Sequence, residues 1–332
     1  MEGMKERMTA TLFVCAGMFL LAGCADNTIE PEDGAAPGGV TTEAEALEYY
    51  ATADEFVANA DQTFADESLE PTDYGTFGRI GQTVIPVVWG RFVENVSVNA
   101  TASFEAGDSL ATVQVDKEIT GTFRILAKYN EDDTTTYLIE KPFTDVSTRN
   151  VIFRRVGREV HRFWLNWIPV ATSLVDGKTS NPPVDQEIEL TELQFTKPNG
   201  DTITVTDPTN FYLRYHWRTI RHDHSVTDVP DLRDGDIFTV KATLVSASPD
   251  TDLVVLRYGF SRIARRRMPM TFISETQNGD GTFTRVYQQV AEIRHHPGVF
   301  HAGVVALTRK TLFDDDPANY SVCWWGVPYR VL

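Results

Sequence analysis

The chain has 332 residues, with 30 Lys and Arg against 47 Asp and Glu for a formal charge of −17 at pH 7, and 42% of its residues are apolar. That length suits two domains with cores of their own rather than a small disulfide-stapled scaffold. A field of this sign repels phosphate backbones, so a nucleic-acid partner is disfavoured unless a local basic patch overrides it.

Thr11 to Ala22 form an apolar run of about a dozen residues, the length of a secretory signal core and too short to cross a bilayer as a helix. It ends in Leu20-Leu21-Ala22-Gly23-Cys24. This Leu-Ala-Gly-Cys ending resembles the lipobox of bacterial lipoproteins. The resemblance implies cleavage between Gly23 and Cys24, acylation of Cys24 and a place in the cell envelope. Glu2 and Glu6 offset Lys5 and Arg7, whereas a start at Met4 gives the net positive charge usual before a signal core.

Residues 24–41 are acidic and rich in Gly, Pro and Ala, which reads as a disordered tether. A flexible segment of about 16 residues reaches about 20–25 Å, enough to hold a domain off a membrane surface. Ala25 differs from the Asp that follows the acylated cysteine in lipoproteins kept on the inner membrane of enterobacteria, so the outer membrane is expected. Cys15 leaves with the signal and Cys24 takes the lipid, which leaves Cys323 in Val-Cys-Trp-Trp as a strand-core thiol with no partner for an intrachain disulfide.

Thr42-Glu43-Ala44-Glu45 is a capping box, and Ala46, Tyr50, Ala53, Val57, Ala60 and Phe64 behind it make one apolar stripe. A helix is expected from there to about Asp66. From Arg91 the period changes to two: Val96 to Phe104 alternate, Glu105 to Asp108 turn the chain, and Ala111 to Val115 alternate again. Further strands are expected at Thr122–Tyr129, Thr136–Lys141, Asn150–Val156 and Glu159–Val170, with Thr144 to Ser147 and Gly157 among the breaks. Residues 42–178 therefore read as an α+β domain, a helix on an antiparallel meander. This element order resembles the cystatin and nuclear-transport-factor-2-like superfold, which implies a curved sheet around the helix.

Asp176 to Asp185 concentrate Gly, Asn and a Pro-Pro pair and read as a domain boundary. Beyond it, strands are expected at Glu187–Phe195, Thr202–Thr206, Phe211–Ile220, Ile237–Val245, Asp252–Tyr258, Gly281–Gln288, Val299–Thr308 and Tyr320–Val331. This spacing makes 179–332 a β-sandwich and the whole chain mainly β. Phe238 to Leu244, Leu253 to Tyr258 and the later strands resemble an immunoglobulin-like or fibronectin-III-like module of the disulfide-free kind.

Chemistry-bearing groups are sparse. His222, His224, His295, His296 and His301 lack paired-cysteine or HExxH spacing, so no metal is expected. Asp234 to Asp236, Asn278 to Gly281 and Asp314 to Asp316 read as polar turns rather than calcium loops. Trp164, Trp167, Trp217, Trp324 and Trp325 read as core packing, since neighbours at these spacings point to opposite faces of a strand. Arg257, Arg262, Arg265, Arg266 and Arg267 form a basic island able to hold a carboxylate-rich or phosphorylated partner. With no nucleophile elbow, phosphate loop or dinucleotide fingerprint, neither a catalytic residue nor a cofactor is expected. The reading is a non-catalytic, lipid-anchored envelope protein that binds an envelope protein or glycan. The alternatives are a cavity for a small apolar ligand in the first domain and a carbohydrate-binding surface lipoprotein.

Overall fold

The computed structural model describes residues 40, 42–53, 70–71, 83–105, 109–156, 167–217, 224–227, 231–258, 266–294 and 298–332. Helix α1 (Glu43–Ala53) begins at the expected capping box. The Thr42 amide donates to Glu45 Oε2 at 2.9 Å and the Glu45 amide to Thr42 Oγ1 at 3.2 Å, satisfying two amides that the first turn cannot. The stripe's continuation toward Phe64 lies outside the described residues.

Strand β1 (Glu70–Pro71) pairs with β2 (Ile85–Phe104), the first of three long antiparallel strands completed by β3 (Leu110–Lys128) and β4 (Tyr137–Arg155). The expectation divided β3 and β4 into shorter pieces, with a break at Thr144 to Ser147. In the structure the period of two runs through, and every second residue from Ile139 to Phe153 is buried. Some of those inward positions are Lys141, Asp145, Ser147 and Arg149, which in sequence look like interruptions of an apolar alternation.

Strands β5 (Trp167–Ser173) and β6 (Val175–Thr179) follow β4 in two pieces separated at Leu174. The remaining elements are β7 (Ile188–Thr196), β8 (Thr202–Val205), β9 (Tyr212–Trp217), β10 (His224–Thr227), β11 (Asp231–Leu232), β12 (Ile237–Ser246), β13 (Leu253–Tyr258) and β14 (Arg266–Pro269). They continue through β15 (Thr271–Gln277), β16 (Phe283–Glu292), β17 (Gly298–Leu307), α2 (Arg309–Phe313) and β18 (Val322–Val331). One sheet runs β1-β2-β3-β4-β6-β18-β17-β13-β14, with β5, β9, β10 and β11 joined at its sides, and the second runs β15-β16-β12-β7-β8. The protein is mainly β. Gly200 and Gly281, in the turns anticipated from Asn-Gly and Asp-Gly, adopt φ of 89° and 90°, where a side chain is strained.

The expected boundary at residue 178 falls inside β6. That strand pairs with β4 on one side, Ser147 opposite Gly177, and with β18 on the other, Trp324 opposite Gly177. Gly177, which in sequence reads as a turn residue, is a close-approach glycine: a Cβ there would lie 2.1 Å from Trp324 Cε2. Residues 40–332 form one compact unit.

Three buried clusters hold this unit together. Leu47 and Ala51 of α1 pack on Val113, Val151 and Phe153 of the meander. Trp89, Phe123 and Phe143, from the opposite end of the meander, pack on Val305, Val322 and Trp324. The other face of β18 turns Cys323 and Trp325 toward Leu190, Ala242 and Leu244 of the second sheet, which makes the β-sandwich. Each fully buried Leu or Phe contributes about 1.5–3 kcal/mol, so the two-faced strands β13, β17 and β18 belong to two cores at once. Among the described residues no helix is long and apolar enough to cross a membrane.

Candidate functional site

Cys24 and Gly23 lie outside the described residues, as do Arg262 and Arg265. Arg257 on β13 stands directly opposite Arg267 on β14, and Tyr258 opposite Arg266. The island was expected at the surface, whereas Arg257 is only 4% exposed. Strand parity is the reason: Val254 and Leu256 point into the sandwich core, so Leu253, Val255 and Arg257 face the core shared with the meander. On that face Arg257 lies near enough to Tyr320 to act on its hydroxyl.

The register carries this row across the sheet. Arg257 is opposite Gly303, Gly303 opposite Gly326, and Gly326 opposite Val175. Asp176 is opposite Thr148, which sets Val175 beside Arg149 of β4. Arg149 is 2% exposed, on the inward face between Ser147 and Val151. Two arginines that are far apart in sequence therefore flank a pair of glycines on one face.

Below this row sits the joint between meander and sandwich. Arg91 of β2 forms an ion pair with Asp145 of β4, and its guanidinium stacks over the Phe143 and Trp324 rings at 4.5 and 5.4 Å from their centroids. Asp145 also accepts from Thr179 Oγ1 at 3.0 Å and from the Tyr320 hydroxyl at 3.1 Å. Burial pushes the Asp145 carboxyl up, while Arg91 and the hydroxyls of Thr179 and Tyr320 pull it back. Nearby, Lys141 Nζ donates to the carbonyls of Lys310 and Asn319 at 2.8 and 2.9 Å, tying β4 to the segment around α2. Burial draws this ammonium down to about 8 against the attraction of Asp314, Asp316 and Asp315. No composition or motif signal marked the joint. The trace it leaves in sequence is charged residues holding strict alternation along β4.

A second buried pair lies in the sandwich. Arg285 Nη1 donates to Asp252 Oδ2 at 2.6 Å, Nε to Glu275 Oε2 at 2.6 Å and Nη2 to the Ser248 carbonyl at 2.8 Å. Burial pushes the Asp252 carboxyl up to about 6 in spite of Arg285. A carboxyl raised above its unfolded value of about 3.9 binds its proton more firmly in the folded state. Its contribution to stability is therefore complete below about pH 4 and is lost as pH rises through about 6. Urea unfolding across pH 4 to 7 is expected to show wild type losing about 2–3 kcal/mol relative to Asp252→Asn, whose side chain does not titrate. Parallel curves for the two proteins would remove Asp252 as the titrating group.

The remaining polar motifs are accounted for locally. Asp280 accepts from the Thr282 amide and hydroxyl at 3.0 and 2.7 Å, and Asp236 from the Arg233 amide at 2.7 Å. Asp314 accepts from the Asp316 amide at 2.7 Å, so these carboxylates close their own turns. No group of three or more His, Cys, Asp or Glu among the described residues could hold a metal ion. His222, His295 and His296 lie outside the described residues, and His224 and His301 are placed on β10 and β17.

Trp167, Trp324 and Trp325 each belong to a different buried cluster, and Trp325 Nε1 donates to Asp176 Oδ1 at 2.9 Å. Burial pushes the Cys323 thiol up, so it stays protonated in the sandwich core. A cavity of about 30 Å³ lies between the sandwich sheets against Phe195, Ile203, Leu213 and Val240. That space is of the order of one or two waters, and its walls are apolar. No family model matches the chain, no curated protein matches it, and no solved structure matches it.

Proposed function

We propose that this is a lipid-anchored cell-envelope protein that acts by binding or scaffolding, carried on the tether of residues 24–41. The observation behind this reading is the Leu-Ala-Gly-Cys ending of the N-terminal apolar run, ahead of an acidic Gly- and Pro-rich segment and a β-rich body. The run is too short to span a bilayer, and acylation of Cys24 supplies the anchor in its place. Ala25 leans toward the outer membrane. The partner is an envelope protein or a glycan; with Arg257 buried, the basic run that remains to meet it is Arg262 to Arg267.

We read the sandwich as immunoglobulin-like. The orders β15-β16-β12-β7 and β14-β13-β17-β18 support this, since they follow the D-E-B-A and C′-C-F-G arrangement of such modules. On that reading β18 is the last strand of the module, and β6 covers the edge it would otherwise present to other chains.

Fractionation of cells carrying wild type or Cys24→Ala tests the anchor. Wild type is expected in the membrane pellet and the variant in the soluble fraction, and a variant that still sediments with membranes sinks the reading. Crosslinking the wild-type protein in intact cells, followed by mass spectrometry, then identifies what the body touches and through which residues.

A further inference from the structure

We propose that Asn95 and Asn99, on the edge strand β2, are acceptors for N-linked glycans transferred from a sugar carried on a polyprenyl diphosphate. The segment reads Asn95-Val96-Ser97-Val98-Asn99-Ala100-Thr101, two asparagines each followed two residues later by a hydroxyl, with no proline between. That is the acceptor pattern for asparagine glycosylation. In an extended strand residues i and i+2 share a face, so each amide stands on the same side as its hydroxyl. The two amides are about 13 Å apart along the strand, which leaves room for a sugar on each.

The fold turns this face to solvent. Ala100 and Ala102 pack on the cluster that holds α1, so Asn95, Ser97, Asn99 and Thr101 point to the other side of the sheet, and all four are exposed. Asp116, opposite Asn99, accepts instead from Gln114 Nε2 at 2.8 Å and from Thr148 Oγ1 at 2.7 Å. Among the described residues neither asparagine side chain has a hydrogen-bond partner. Asparagine is depleted in strands, so two of them here go against local preference, and such departures concentrate at functional positions. The strand edge adds a second reason. The Ala102 amide donates to Glu48 Oε1 at 3.0 Å, so by alternation the amides of Val96, Val98 and Ala100 also face away from β3. Among the described residues β1 covers this edge only at Val88 and Trp89. From Asn95 to Phe104 there is no charged residue and no proline, the usual guards of an open edge. Hydrated sugars beside it obstruct an approaching strand.

In the transfer, the asparagine Nδ2 attacks the anomeric carbon of the sugar. The C–N bond forms as the C–O bond to the diphosphate breaks, the amide gives up one proton to a base of the transferase, and the polyprenyl diphosphate leaves. Asn319-Tyr320-Ser321 is the one other such pattern in the chain. Asn319 Oδ1 accepts from Gln186 Nε2 at 2.5 Å and Ser321 is 1% exposed, so a glycan there is incompatible with the core. The proposal rests on the export that the lipobox reading implies and not on the anchor itself.

Mass spectrometry of the protein purified from membranes of its native host, digested with trypsin, tests the sites. The peptide of residues 92–117 is expected to carry two glycan masses and to release sugar oxonium ions on fragmentation, while the peptide that contains Asn319 is unmodified. Ser97→Ala and Thr101→Ala keep both asparagines and should each remove one glycan, and Asn95→Gln with Asn99→Gln should remove both. These positions are exposed, so the variants are expected to fold, and the wild-type peptide needs no variant. Cys24→Ala should leave the membrane with its glycans intact. A wild type that pellets with membranes but yields only the unmodified 92–117 peptide overturns the acceptor sites and leaves the anchor standing. A modification of that peptide that survives the loss of both hydroxyls overturns them as well.

Discussion

Replacing Asp145 by alanine is expected to cost about 3–5 kcal/mol of folding free energy, because it leaves the Arg91 guanidinium buried without its carboxylate. Arg91 is 5% exposed and Asp145 fully buried, so water does not reach in to compensate. The loss extends beyond one pair, since Thr179 of β6 and Tyr320 ahead of β18 donate to the same carboxylate. The lowered midpoint in guanidinium unfolding measures it. The double variant Arg91→Met, Asp145→Leu separates two accounts of the pair. If the pair serves mainly to register meander against sandwich, the double variant should recover much of the stability lost by either single change, since well-packed apolar groups often match a buried ion pair. A double variant about as unstable as either single would mean that the ion pair is itself a net source of stability, and a loss equal to the sum of the two would mean that the groups do not act on each other.

Gly177→Ala is expected to destabilise by about 1–3 kcal/mol or more, through a clash rather than through backbone conformation. The added Cβ would lie 2.1, 2.3 and 2.5 Å from three atoms of the Trp324 indole. That indole is fully buried between Arg91 and the apolar cluster shared by β13, β17 and α2, so it has nowhere to move. Trp324→Leu in the Gly177→Ala background should return part of the loss by giving the methyl room. Thermal unfolding of the two variants beside wild type checks this. A harmless Gly177→Ala would mean that β6 does not approach β18 as closely as its pairing requires.

Both positions show why parts of this fold were legible in the sequence and others were not. The capping box at Thr42 and Glu45, the hairpin turns at Gly200 and Gly281 and the strands β12, β13 and β18 are local patterns, and the structure has them. At Thr144 to Ser147 and at Asp176 to Thr179, by contrast, the local pattern pointed to a break. Asp145 looks like a turn residue until Arg91, 54 positions away, lies against it. Gly177 looks like a linker until an indole from residue 324 takes the place of its side chain. Arg257 looks like a solvated cation until strand parity turns it inward, into a row completed by Arg149 and two glycines.

What the sequence determined by itself is therefore the class and the local chemistry: a chain that is mainly β, a capped helix at the start of the body, turns closed by their own carboxylates, and Trp167, Trp324, Trp325 and Cys323 set for strand interiors. Alternation, capping and turn residues act over a few positions, and a reader of the chain has all of their parts in view. Tertiary structure alone decided that meander and sandwich share one sheet through β6, that β18 serves two cores, and that the buried charges on β4 find partners rather than breaking the strand. Those outcomes depend on which distant backbone supplies a hydrogen bond and which distant side chain supplies a counter-charge. A buried carboxylate or a bare glycine carries no mark in one dimension of the contact that makes it stable in three.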